Sequence, residues 1–90
     1  MKISGLIIQK RNTEISTEND FRATYKGKQI NITTDHGFGK PKFDHLKRFM
    51  IDVIDIKTGM YDVQSYEDFH DMRDAIRYAL KGSCLLKSNI

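Results

Sequence analysis

FRATYKGKQINITT, residues 21–34, carries the alternation on which the fold turns. Phe21, Ala23 and Tyr25 fall on one side of an extended chain, and Arg22, Thr24 and Lys26 on the other. That period of two belongs to a strand with one buried and one wet face. Gly27 interrupts it, and the phase resumes with Ile30, Ile32 and Thr34 opposed to Gln29, Asn31 and Thr33. Two alternating runs about a glycine predict an antiparallel hairpin turning near Lys26 to Lys28.

Downstream, Asp35 to Lys42 (DHGFGKPK) has loop chemistry, with two glycines and the one proline of the chain. Phe43, Leu46, Met50 and Val53 recur at helical spacing, yet Ile51, Val53, Ile54 and Ile56 are β-branched and favour a strand. Lys57-Thr58-Gly59 decides between them, because it suits a three-residue hairpin loop with glycine at the left-handed position. A second hairpin is therefore expected from Phe49 to Ile56 and Met60 to Gln64, with Tyr61 and Val63 inward and one helical turn around Phe43 to Lys47.

A helix is predicted over Tyr66 to Lys81. Ser65 with Asp68 three residues on resembles a capping box, and Gly82 stands where a helix stops. Phe69, Met72, Ile76, Ala79 and Leu80 form its apolar stripe. Residues 83–90 read as a frayed tail. Upstream, Ile3 to Lys10 reads as a strand, and Asn12 to Asp20 as a loop with a short return strand at Thr13 to Thr17. The expected fold is α+β: an antiparallel β-meander of four to five strands with one C-terminal amphipathic helix packed on one face, forming a single domain over residues 1–90.

With 90 residues, 39% of them hydrophobic, the chain supports one core and leaves little of it for a deep catalytic cavity. Leu6, Ile7 and Ile8 are too few for a signal segment, and no apolar run approaches a membrane span. The single cysteine, Cys84, allows no intrachain disulfide and points to the cytoplasm. Net charge is +3 and unevenly placed: ten basic and five acidic residues lie in 1–48, five and seven in the rest. Such a basic half suits an acidic partner.

Catalytic and cofactor signals fail one by one. Asp35-His36, Asp44-His45 and His70 match no metal-ligand spacing, and Gly37-Phe38-Gly39-Lys40 lacks the spacing of a phosphate loop. Cys84 sits beside Leu85 and Leu86, surroundings that keep a thiol inert. His70, Arg73, Arg77 and Lys81 make a basic helical stripe diluted by Asp71 and Asp74. No catalytic residue, metal or cofactor is expected.

What remains is binding. Arg22, Lys26 and Lys28 on the first hairpin, with Phe38, Lys40 and Lys42 in the loop, are the candidate contacts. The leading expectation is a small non-enzymatic protein-interaction module or inhibitor that takes an acidic protein partner, with a homodimer among its assemblies. The alternative is a nucleic-acid-binding domain in which the Arg22, Thr24, Lys26, Asn31 and Thr33 face enters a groove, although that face offers no aromatic platform for single strands. In architecture the sheet-then-helix order is similar to small DNA-binding domains of mobile-element integrases and to small phage proteins that inhibit host enzymes. That likeness implies a phage or mobile-element type of protein.

Overall fold

A computed structural model of the chain describes residues 13–35, 37 and 39–83, and the backbone of 2–3 and 6–7. Lys2–Ile3 (β1) and Leu6–Ile7 (β2) pair antiparallel with each other. The single strand expected over Ile3 to Lys10 is thus corrected within its described part, because Leu6–Ile7 runs back against Lys2–Ile3 instead of continuing it. Thr13–Ser16 (β3), Asp20–Tyr25 (β4), Lys28–Thr34 (β5), Lys47–Asp55 (β6) and Tyr61–Phe69 (β7) form one five-stranded antiparallel sheet in chain order. Met72–Gly82 (α1) covers one face of it. The α+β meander with a single packed helix is what the alternation requires.

Register explains the core. Phe21 lies opposite Ile32 and Ile32 opposite Ile51, while Ala23, Ile30, Val53 and Val63 form the neighbouring row. These side chains meet Met72, Ala75, Ile76, Ala79 and Leu80 of α1, all buried. Each of the larger helical side chains contributes about 1.5–3 kcal/mol by leaving water. The opposite face of the sheet carries no helix among the described residues.

The helix begins later than the spacing predicts. Residues 65–69 belong to β7, with Ser65 opposite Ile51 and Phe69 opposite Lys47. Ser65 and Glu67 point toward α1, where Tyr78 satisfies them: its hydroxyl lies 3.4 Å from Ser65 Oγ and donates to Glu67 Oε2 at 3.5 Å. Asp71, not Ser65, caps the helix, its Oδ1 accepting from the Asp74 N–H at 3.0 Å. At the other end Ser83 is no frayed residue. It is buried and donates to the Ala79 carbonyl at 2.8 Å, while 84–90 lie outside the described residues.

The helical turn expected around Phe43 to Lys47 is a single hydrogen-bonded reversal, Leu46 N–H to Phe43 O at 3.0 Å, with Lys47 already in β6.

Candidate protein-interaction surface

Two turns meet at one end of the sheet. Tyr25 faces Lys28 across a two-residue loop in which Lys26 and Gly27 both take positive φ, +49° and +79°. This is the hairpin turn whose twist matches the strands, at a small steric cost on Lys26. In the neighbouring β6–β7 loop Gly59 takes φ +73°, the left-handed position expected of it. Ile56 N–H donates to Gly27 O at 3.1 Å and ties the two turns together.

Asp55 organises the second turn. Its Oδ1 accepts from the Lys57 and Thr58 N–H groups at 2.9 and 3.1 Å, and its Oδ2 accepts from Lys28 Nζ at 2.8 Å. Lys28 also pairs with Asp62 Oδ2 at 2.6 Å. Asp62 reaches it because β7 carries a one-residue irregularity there: Val63 opposes Val53, but Tyr61 opposes Ile54. A bulge of one residue exchanges the faces of whatever follows it. Tyr61, expected inward beside Val63, is accordingly turned to the helix-free side and is 51% exposed.

The Lys28 ammonium, then the Thr58 amide, holds the Asp55 carboxyl below its ordinary value. The Lys42 amide, then Arg48, does the same for Asp68 against its partial burial. A carboxyl lowered in the fold stabilises it fully above the unfolded value of 3.8 and loses that contribution as pH falls through the folded one. Lys28, raised chiefly by Asp55 and Asp62, contributes below 10.5 and ceases to do so as pH rises past its folded value. Thermal melts should therefore hold down to about pH 4 and fall below it, and Lys28→Met should flatten that fall. A variant profile parallel to wild type would show that Lys28 does not hold Asp55.

Around this scaffold the chain leaves apolar groups in water. Met60 is 69% and Ile56 55% exposed, so with Tyr61 half of the exposed large apolar side chains among the described residues fall within six positions. Lys26 and Lys57 flank them without an ion pair among the described residues, Lys26 lying 5.3 Å from the Tyr25 ring. Three lysines, 26, 28 and 57, face two aspartates, 55 and 62, and the end is net positive.

The residues singled out in the sequence do not converge. Lys26 stands on this end, and Lys28 is beneath it, occupied by carboxylates. Arg22 lies on the helix-free face, donating to Asn31 Oδ1 at 3.1 Å with Glu14 at 3.9 Å. Lys40 and Lys42 belong to the opposite end, where the Lys42 N–H donates to Asp68 Oδ2 at 2.7 Å. There a groove of about 510 Å³ runs between the loop and β5–β6, past Lys47 and Arg48. Phe38, His36 and Cys84 lie outside the described residues.

The His45 and His70 rings are tilted against each other with centroids 5.0 Å apart, but among the described residues no group of three ligand-type side chains could hold a metal. His70 precedes α1, and Arg77 pairs with Asp74 at 3.0 Å, so the basic helical stripe is broken. Ile56, Met60 and Tyr61 are the residues the sequence reading missed. Their signal was two large apolar residues set immediately against a tight turn, where alternation cannot bury both. Among the described residues no helix is long and apolar enough to cross a membrane. Comparison of the chain with protein-family models, with curated proteins and with solved structures finds no match in any of the three.

Proposed function

We propose that the chain is a non-enzymatic protein-interaction module that docks an acidic partner protein on the end of its sheet. Met60, Ile56 and Tyr61 are the apolar anchors, and Lys26 and Lys57 the charged rim. The observation that carries this reading is that these exposed side chains stand on turns already fixed by Asp55, Gly27 and Gly59. A preorganised surface spends little entropy on binding, and Met and Tyr at its centre are the residue types enriched in protein interfaces. The two rim lysines favour a partner of opposite sign and raise its encounter rate. The nucleic-acid ribbon is less well supported, since Arg22 and Lys28 are already engaged with acidic and amide groups.

A photo-crosslinking residue placed at Met60, with Glu18 at the other end as control, tests the assignment in cells that make the protein. A discrete protein adduct at position 60 that disappears with Ile56→Asp and weakens with Lys57→Glu is expected. Equal adducts at both positions, or none at 60, would overturn it.

A further inference from the structure

The two edges of the sheet are built differently. β3 has four residues and a register irregularity between Thr13 and Ile15, a common way of blunting an edge. β7 has nine residues, neither proline nor glycine among them, and no strand beyond it among the described residues.

Main-chain direction along β7 follows from its turn. Asp55 directs its N–H to Met60 O and accepts from Gly59 N–H, so it faces β7. By alternation Val53, Ile51 and Phe49 face it as well, and their partners Val63, Ser65 and Glu67 face back. The N–H and C=O groups of the intervening Gln64 and Asp68 point away from the sheet.

We infer that β7 pairs antiparallel with β7 of a second copy of this chain, about a two-fold axis at Tyr66, giving a continuous ten-stranded sheet. The charges disfavour the registers one residue to either side of this one. With the axis at Tyr66, Gln64 meets Asp68, Ser65 meets Glu67 and Val63 meets Phe69 of the other copy, and no like charges are opposed. An axis at Ser65 would set Asp62 against Asp68, a repulsive cross-strand pair.

The helix agrees. Tyr78 contacts Ser65 and Glu67, so it is level with Tyr66. Asp74 and Lys81 stand equally far from the midpoint between Arg77 and Tyr78, along a groove of about 240 Å³ bordered by Phe69. The same axis brings Asp74 of each copy toward Lys81 of the other, and Lys81 has no ion pair with any described residue of its own chain. A foreign peptide would have no reason to match this self-complementary pattern. The inference uses residues 63–69 of β7 and the outer side of α1 and does not rest on the turn surface, although Tyr61 begins the same strand.

Sedimentation equilibrium of the full chain across a concentration series tests it. Wild type should show a reversible monomer–dimer equilibrium. Asp74→Lys alone brings two lysines together at each of these contacts, and Lys81→Asp alone brings two aspartates together, so each should weaken dimerisation on the order of tenfold or more. An equimolar mixture of the two variants forms mixed dimers in which both contacts join a lysine to an aspartate, so mixing should restore association. The double variant Asp74→Lys with Lys81→Asp swaps the charges, restores both opposite-sign contacts and should dimerise as wild type does. Gln64→Pro removes only an outward N–H and should leave a folded monomer by circular dichroism. A wild-type chain that stays monomeric at the highest concentration, or single variants that dimerise undiminished, would overturn the proposal.

Discussion

Phe49→Ala should lower the unfolding free energy by about 3–5 kcal/mol, a large part of the ~5–15 available to a small domain. Phe49 is fully buried in β6, and its ring stands 6.3 Å from that of Phe69 in β7, which in turn lies 5.5 Å from Tyr78 in α1. These rings join three elements through tilted contacts that add to simple burial. Truncation leaves a cavity that flanking strands, fixed by their ladders, cannot collapse into. Urea denaturation followed by circular dichroism measures the loss. A change under about 1.5 kcal/mol would mean that the site relaxes freely and the ring series carries little of the stability.

Gly82→Ala is the second substitution with a large expected effect, and its sign runs against helix propensity. Alanine in a helix is ordinarily better than glycine by about 1 kcal/mol. A Cβ at position 82 would lie 2.7 Å from Val63 Cγ2, closer than carbon atoms approach. Val63 is buried, β-branched and paired with Val53, so it has little room to turn. Overpacking of this kind costs about 1–3 kcal/mol, and a net destabilisation should remain. In a Val63→Ala background the same change should be neutral or stabilising. Equal effects in both backgrounds would show that the two residues are uncoupled.

Most of the fold was legible because its central hairpin repeats one phase on both strands: every second residue from Phe21 to Ala23, and again from Ile30 to Ile32, is buried. The boundary between β7 and α1 was not. Ser65 and Glu67 look like solvent-facing residues, and only Tyr78, brought from the helix, makes them tolerable on the inner face. Local capping chemistry at Ser65 therefore competed with a pairing visible only once β6 was in place. The candidate surface was half legible. Lys57-Thr58-Gly59 announced its turn, whereas the Asp62 irregularity that reverses Tyr61 exists only in the register of two strands. For the same reason Lys28 read as a free cation, its two aspartates being far along the chain.

Every strand of the five-stranded sheet pairs with its own neighbour in the chain. Contacts between chain neighbours close small loops, and folds dominated by them form fast. A nascent chain leaving the ribosome can lay down β3 to β7 in the order of synthesis, waiting for no distant segment. Only α1, the last of the described elements, must arrive before the apolar side of the ladder is hidden. The short interval between completion of β7 and docking of α1 is when this chain is most exposed to aggregation, and when a chaperone would have something to hold.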